Sequence, residues 1–265
     1  MENTELKEVV KSKYSEIAVA ADKSKGCGCG CSSDNSEYSD FSENYKSLDG
    51  YVAEADLGLG CGLPTEHAGI KLGDVVVDLG SGAGNDVFVA RSLVGEYGTV
   101  VGIDFTEAML SKANKNLAKL NYRNVYFKLG DIENLPLQDN FADVIISNCV
   151  LNLVPDKRKA FQEIYRTLKP GGHFCVSDIV TSGELPQKIR NTAALYAGCV
   201  SGALKQEEYI GIIKESGFED VEIKKSGIIN LPDELLKDYL SAGDIKEFRK
   251  NGSGIFSITV IGYKK

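Results

Sequence analysis

Residues 76–84 read V-V-D-L-G-S-G-A-G, an apolar, β-branched run that ends in three glycines at alternate positions. The run predicts a buried strand, and the glycines predict a tight turn into a following helix. A ligand can approach the backbone of such a turn closely, at the positive end of the helix dipole. The G-x-G-x-G spacing differs from the G-x-G-x-x-G of dinucleotide-binding loops, which argues against a dehydrogenase. A glycine turn that serves packing alone is the alternative at this point.

From residue 50 onward, apolar runs alternate with stretches of helical periodicity. The predicted strands are 75–79, 99–104, 125–129, 142–146, 173–177, 221–225 and 256–263, and the predicted helices are 85–94, 106–120, 156–168 and 206–216, with a further helical stretch after residue 232. The near-continuous apolar character of the first five runs indicates strands buried on both faces, as in a parallel sheet. The alternation predicts an α/β fold, a mostly parallel sheet flanked by helices.

Composition and charge exclude several classes of function. The 265 residues are 43% hydrophobic, enough for a large core. Lys and Arg number 30 against 38 Asp and Glu, and the net charge of −8 disfavours nucleic acid and anionic membranes as partners. The apolar stretches are shorter than the roughly 18 residues of a membrane span, and the N-terminal residues are charged, unlike a signal peptide. We therefore expect a cytoplasmic protein with no nucleic-acid or membrane partner.

The first fifty residues differ from the rest of the chain. Residues 2–22 space apolar side chains among Lys and Glu, as an amphipathic helix does. Residues 25–37 read K-G-C-G-C-G-C-S-S-D-N-S-E and predict a flexible segment that carries three thiols. We expect residues 1–48 to form this helix and Cys-rich arm. Residues 49–265 would form the main domain, with cap segments near 50–70 and 180–204.

Five motifs, in this order, resemble those of the class I S-adenosylmethionine-dependent methyltransferases. They are V-V-D-L-G-S-G-A-G at 76–84, V-G-I-D at 101–104, G-D-I-E-N-L-P-L at 130–137, F-A-D-V-I-I-S-N at 141–148 and L-K-P-G-G at 168–172. The resemblance covers about residues 73–265. It implies a Rossmann-like, mostly parallel sheet with an antiparallel final strand, and S-adenosylmethionine as cofactor.

The same resemblance implies which residues bind the cofactor. They are Asp78, Gly80, Gly82, Gly84, Asp104, Met109, Asp131, Ile132 and Asn148. In such a family the glycine turn lies under the methionine and ribose, Asp104 holds the ribose, and Asp131 faces the adenine. Asn148 would lie by the methionine moiety. A residue that only shapes a turn is the alternative for Asp131, because Gly-Asp pairs are common in loops.

The seven cysteines are an odd number, which excludes complete internal pairing. Cys149 follows the fourth predicted strand, Cys61 lies in a glycine-rich turn before the first, and Cys199 lies after the fifth. Because the carboxyl ends of parallel strands share one edge of a sheet, we expect these three thiols at one rim. For each of them, a small buried core residue is the alternative. Soft thiolates select soft acceptors, and trivalent arsenic takes three sulfurs while it keeps a lone pair.

Four stretches resemble elements of the arsenite methyltransferases. They are C-G-L-P at 61–64, D-L-G-S-G-A-G-N-D at 78–86, S-N-C-V-L-N at 147–152 and G-C-V-S-G-A at 198–203. The resemblance implies that Cys61, Cys149 and Cys199 are catalytic and hold As(III), whose lone pair attacks the sulfonium methyl. It also implies a thiol-complexed metalloid substrate and a thiol reductant such as thioredoxin or a glutathione-like thiol. Many relatives carry a further C-terminal domain outside the stretches that resemble this chain, so the resemblance implies nothing about product range and efficiency.

The remaining cysteines and the alternative functions stay open. Cys175 lies in the middle of a predicted strand, which favours core packing. Cys27, Cys29 and Cys31 alternate with glycine, and this favours metal or metalloid binding over incidental thiols in a mobile tail. A small-molecule C- or O-methyltransferase of the quinone-biosynthesis type is one alternative function, and it would need no thiols at the rim. A metalloid-sequestering protein that uses the N-terminal arm is the other.

Overall fold

The computed structural model describes residues 3–23, 44–183, 202–229, 236–237, 240–250 and 254–265. Within these residues lies a seven-stranded sheet in the order β3-β2-β1-β4-β5-β7-β6. The strands are β1 Val75–Leu79, β2 Thr99–Asp104, β3 Val125–Leu129, β4 Ala142–Asn148, β5 Leu168–Ser182, β6 Glu219–Ile229 and β7 Gly254–Tyr263. Strands β1 to β5 pair in parallel, and β7 runs antiparallel to both β5 and β6. The predicted mostly parallel sheet with an antiparallel final strand is confirmed.

The described helices fall close to the predicted ones, except for α2 (Pro64–His67), a single turn that was not predicted. They are α1 Asn3–Lys23, α2 Pro64–His67, α3 Asn85–Val94, α4 Glu107–Leu117, α5 Lys157–Thr167, α6 Gln206–Glu215 and α7 Ala242–Lys250. Helix α5 shows why its bounds were readable: the side chain of Asp156 accepts a hydrogen bond from the Lys159 N–H and caps its first turn. Its end precedes Pro170, which cannot continue a helix.

Both faces of the central strands are buried, as the apolar runs predicted. In β1, Val77 and Leu79 belong to the apolar core that includes Phe161 of α5, whereas Val76 belongs to the core beneath α3. Successive strand residues point to opposite faces, so one strand supplies both cores. Cys175 is fully buried in the core beneath α3, where burial raises the pKa of its thiol to about 12. The core position predicted for Cys175 is confirmed.

The prediction of two-sided burial is wrong for β3. This strand lies at the edge of the sheet, and the side chains of Tyr126 and Leu129 are 51% and 52% exposed. Apolar residues in a run do not reveal which strand of a sheet has only one neighbour. The run 125–129 therefore predicted the strand correctly and its surroundings incorrectly.

Strand β5 is longer than the run that predicted it. It extends to Ser182, so residues 179–182 pair with β7 and belong to the sheet rather than to the segment that follows. Residues 184–201, which include Cys199 and most of the predicted second cap, lie outside the described residues, as do Cys27, Cys29 and Cys31. In the described part of the chain, no helix combines the length and apolar character that crossing a membrane requires.

Candidate active site

A cleft opens at the carboxyl ends of β1, β2 and β4, where parallel sheets bind ligands. It encloses about 1140 Å³, part of which is open to solvent. Of the nine residues predicted to bind a cofactor, eight line it: Asp78, Gly80, Gly82, Asp104, Met109, Asp131, Ile132 and Asn148. Cys149 lines it as well.

The three glycines of the turn after β1 have different roles. Gly80 adopts φ +69°, and a Cβ there would lie 2.5 Å from the side chain of Val150. Gly82 adopts φ +50°, and a Cβ there would meet nothing within 4 Å, so its backbone faces open space. Gly84 packs against Phe127 and Phe88 and is absent from the cleft lining. Packing therefore explains Gly84, whereas Gly82 leaves room for a ligand.

Asp104, the last residue of β2, joins two loops of the cleft. Its carboxylate accepts hydrogen bonds from the N–H of Gly82 at 2.9 Å and from the N–H of Thr106 at 2.8 Å. Burial raises the pKa of Asp104, and the two backbone N–H groups oppose that shift. An ionised carboxylate has about four acceptor positions, so Asp104 keeps capacity for ligand hydroxyl groups.

Two more buried carboxyl groups lie at the same end of the sheet. Burial raises the pKa of Asp78 well above its ordinary value, and the negative charges of Asp86 and Asp104 raise it further. Burial also raises the pKa of Asp86 to about 6, against hydrogen bonds from Asn148 and Tyr45 that lower it. A cleft lined by three buried carboxyl groups favours a ligand that carries positive charge.

The lining fits the cofactor that the sequence motifs imply. Among the described residues, Ser81 Oγ and Asn85 Oδ1 are buried side-chain atoms without a hydrogen-bond partner, and both residues line the cleft. Unpartnered buried polar atoms are costly unless a ligand or water satisfies them. Together with the open backbone of Gly82, they match a ligand as polar as S-adenosylmethionine.

Helix α1 contributes to the cleft, which its sequence did not reveal. Lys7 Nζ forms ion pairs with Asp131 at 2.6 Å and with Glu133 at 2.5 Å. Val10 is 1% exposed, and both Val10 and Tyr14 line the cleft. The amphipathic spacing predicted the helix, but it did not indicate which surface of the domain the helix packs against.

The described thiols of the predicted rim share one apolar cluster. Cys149 directly follows β4 and is 5% exposed, and Cys61 is 2% exposed. Both belong to the cluster that includes Leu153 and Ile179. Cys149 lines the cleft, whereas Cys61 does not. No group of three His, Cys, Asp or Glu that could hold a metal ion occurs within the described residues, which do not include Cys199.

Asn148 connects the loop of Cys61 to the end of β4. Its Oδ1 accepts a hydrogen bond from the Cys61 N–H at 3.0 Å, and its Nδ2 donates to the carbonyl oxygen of Gly62 at 2.8 Å. Nδ2 also lies 2.5 Å from the hydroxyl oxygen of Tyr45, which in turn donates to the Asp86 carboxylate at 3.0 Å. The N-D pair that closes the glycine motif could have pointed to Asp86. No sequence signal pointed to Tyr45.

The backbone of Cys149 has an unusual conformation with a testable consequence. Its φ is +59°, in the left-handed region that favours glycine, and its N–H donates to the Ser177 carbonyl oxygen at 2.7 Å. We expect Cys149→Gly to be more stable than Cys149→Ala by about 1 kcal/mol, because glycine adopts positive φ without a Cβ clash. Urea unfolding of the two variants measures the difference.

The control for this prediction is the same pair of substitutions at Cys175. That residue lies in β5 without a positive φ, so Cys175→Ala should be more stable than Cys175→Gly. An alanine at position 149 that is at least as stable as a glycine would contradict the left-handed backbone.

Known proteins match this chain at several levels. A sequence model described as a methyltransferase domain matches residues 70–217. An arsenite methyltransferase of Halobacterium salinarum is 42% identical over 194 residues, 73% of this chain and 49% of that protein. A ubiquinone/menaquinone biosynthesis C-methyltransferase of Klebsiella pneumoniae is 30% identical over 176 residues, 58% of this chain and 70% of that protein.

A solved structure extends the match to three dimensions. The crystal structure of an arsenic(III) S-adenosylmethionine methyltransferase from Chlamydomonas reinhardtii is 37% identical, covers 77% of this chain and 67% of its own, and superposes with a TM-score of 0.67. This chain spans about half the length of the curated arsenite methyltransferases that it matches. The chain therefore belongs to the family of S-adenosylmethionine-dependent methyltransferase domains.

Proposed function

We propose that this protein methylates trivalent arsenic, supplied as arsenite, with S-adenosylmethionine as methyl donor and cysteine thiolates as arsenic ligands. The observation that carries the proposal is the position of Cys149, which lines the cleft and shares an apolar cluster with Cys61. The similarity to arsenite methyltransferases supports the same substrate.

Cys61 and Cys149 supply two of the three sulfur ligands in this proposal, and Cys199 supplies the third. Cys199 lies outside the described residues, but Ala203, four positions later, belongs to the cluster of Cys61 and Cys149. A buried apolar cluster suits a thiolate-bound metalloid, because exclusion of water protects the arsenic–sulfur bonds from hydrolysis. Soft sulfur ligands also select arsenic over hard oxygen-binding ions.

The chemistry divides between the chain and its two ligands. When bound, S-adenosylmethionine supplies a methyl group on a positively charged sulfur. The arsenic lone pair would form a bond to the methyl carbon, and the carbon–sulfur bond would break, so that the sulfur leaves as a neutral thioether. The thiolates hold arsenic so that its lone pair faces the methyl carbon, and positioning is the main contribution to such a displacement. Arsenic thereby passes formally from the trivalent to the pentavalent state. The proposal therefore includes a thiol reductant, such as thioredoxin or a glutathione-like thiol, that returns the electron pair.

Methyl transfer to arsenic tests the proposal directly. Full-length protein, incubated with arsenite, a dithiol reductant and S-adenosylmethionine labelled in its methyl group, should yield labelled methylarsenicals separable by chromatography. Cys149→Ala should lower the rate by about a hundredfold or more, because an arsenic ligand beside the cofactor is lost. Cys175→Ala removes an equally buried thiol outside the cleft and should retain most of the rate.

The quinone-biosynthesis alternative predicts a different pattern. Its supporting observation is the similarity to the Klebsiella C-methyltransferase. Label transferred to a demethylated quinone, with equal rates for wild type and Cys149→Ala, would favour that alternative. A wild-type protein that binds S-adenosylmethionine and leaves arsenite unmethylated would contradict the proposal.

The buried carboxyl groups predict how cofactor affinity depends on pH. With a pKa of about 6, Asp86 gains its negative charge as pH rises from 5 to 7, and that charge attracts the sulfonium. The affinity for S-adenosylmethionine should therefore rise over this range by on the order of 1 kcal/mol and then level off. The affinity for S-adenosylhomocysteine, whose sulfur is neutral, should change less.

Calorimetric titration of the two ligands at several pH values measures this difference. Asp86→Asn cannot ionise at this position, so it should flatten the curve for S-adenosylmethionine. Parallel curves for the two ligands in the wild-type protein would contradict an electrostatic role of Asp86.

Helix α1 is predicted to increase cofactor affinity by covering the cleft. Val10→Asp would bury a carboxylate in the docked helix, which costs several kcal/mol and favours undocking. We expect the Kd of S-adenosylmethionine to rise by about tenfold or more, because Val10, Lys7 and Tyr14 then leave the cleft. Val19→Asp is the matched control, since Val19 lies on the same helix but is 48% exposed. Equal Kd values for the two variants would contradict the prediction.

A further inference from the structure

The side-chain amide of Asn148 binds two successive residues of the loop that carries Cys61. It accepts from the Cys61 N–H and donates to the Gly62 carbonyl oxygen, at 3.0 and 2.8 Å. The amide thus pairs with this loop through one donor and one acceptor, as a neighbouring strand would. We call these two hydrogen bonds the Asn148 clasp.

The glycines on either side of Cys61 permit this close approach. A Cβ at Gly60 would lie 2.7 Å from Asn148 Nδ2, and a Cβ at Gly62 would lie 2.5 Å from Ser177 Oγ. Any larger residue at position 60 would therefore displace the clasp. Close contacts with Asn148 and Ser177 therefore explain the two glycines of the G-C-G sequence at 60–62, independently of the Cys61 thiol.

Tyr45 and Asp86 determine which way the amide faces. Nδ2 lies 2.5 Å from the Tyr45 hydroxyl oxygen and donates to Asp86 Oδ2 at 3.2 Å. A flipped amide would direct its oxygen at the Gly62 carbonyl oxygen and at the Asp86 carboxylate. A carbonyl oxygen and an ionised carboxylate can accept hydrogen bonds but cannot donate them, so neither would pair with the amide oxygen. The amide oxygen is therefore left to accept from Cys61.

The clasp links the two thiols because Asn148 immediately precedes Cys149. The Cys149 N–H donates to the Ser177 carbonyl oxygen, and the Ser177 side chain lies against Gly62. Asn148 therefore binds the Cys61 loop and is covalently joined to Cys149. Ser177 lies against the same loop and accepts a hydrogen bond from Cys149. These short-range contacts connect the Cys61 loop to the backbone on either side of the Cys149 N–H.

We propose that Asn148 is a positioning residue that holds Cys61 beside Cys149, so that the two thiols form a preorganised pair for trivalent arsenic. The inference rests on the proposed function and deepens it, because it assigns Asn148 to the substrate side of the cleft. It differs from the expectation that Asn148 serves the methionine moiety of the cofactor. Preorganised ligands bind more tightly because less conformational freedom is lost on binding.

Thiol cross-linking tests the placement without arsenic. Dibromobimane bridges two neighbouring thiols, and peptide mapping by mass spectrometry identifies the Cys61–Cys149 product in the full-length chain. We expect this product in the wild-type protein and about a tenfold lower yield in Asn148→Ala, equivalent to about 1.4 kcal/mol. Asn148→Asp should lower the yield as well, because it retains the acceptor for Cys61 but loses the donor to Gly62.

Asn124→Ala is the matched control. Asn124 is a half-buried amide that donates to the carbonyl oxygens of Gly95 and Gly98 and accepts from Arg91. It directly precedes β3, at the amino ends of the parallel strands, whereas Asn148 lies at the carboxyl end of β4. Its loss removes three side-chain hydrogen bonds, against four for Asn148, and should leave the cross-linking yield unchanged. Circular dichroism checks that each variant is folded. A second pair of variants, Tyr45→Phe and its control Tyr51→Phe, tests the same clasp without a change at Asn148.

Kinetics separates positioning from cofactor binding. Asn148→Ala should raise the KM for arsenite by about tenfold and change the Kd of S-adenosylmethionine less than about threefold. An unchanged cross-linking yield in Asn148→Ala, or a loss confined to cofactor affinity, would overturn the inference, as would a wild-type protein that forms no Cys61–Cys149 product. If the yield depends on Asn148 but wild type does not methylate arsenite, the proposed function fails while the placement of the thiols stands.

Discussion

The carboxylate of Asp104 holds together the loops from which the cleft is built. It accepts from Gly82 in the turn after β1 and from Thr106 at the start of α4. The N–H groups of Gly80 and Ser81 donate to the Ile103 carbonyl oxygen, which fixes the same turn to β2. These contacts require a backbone that doubles back at positive φ, which glycine adopts without strain. The shape of the cleft therefore follows from glycines placed between two parallel strands.

This arrangement places three carboxyl groups close together in buried positions. Burial of negative charge is unfavourable, and a positively charged ligand would offset part of that free energy. Asp78, Asp86 and Asp104 are each less than a tenth exposed, and burial raises the pKa of all three. Groups with strongly raised pKa values cluster at functional sites, because a stable fold gains nothing from them alone. A cationic sulfonium offsets part of their mutual repulsion. The acidic lining is thus consistent with the positive charge that distinguishes the methyl donor from its product.

The sequence predicted the site where chain neighbours determine it and missed it where distant residues do. Helix α3 and the turn before it follow from a local pattern of glycines and apolar residues, and both have the predicted bounds. Tyr45 and Lys7 act through partners 103 and 124 positions away, Asn148 and Asp131, so no local pattern could reveal them. The exposed edge of β3 was missed for a similar reason, since strand order is a property of the whole sheet.

Burial alone does not assign a function to a cysteine, as Cys149 and Cys175 show. Both are at most 5% exposed. Cys175 lies on β5, and Cys149 follows the end of the neighbouring strand β4. Cys175 sits in the middle of β5, paired on both sides, where its side chain can only fill the core. Cys149 lies one residue beyond the end of β4, where the parallel ladder stops and the backbone turns to positive φ. Cys149 therefore lines the cleft as well as an apolar cluster, because the chain leaves the sheet at the carboxyl edge, where the cleft opens.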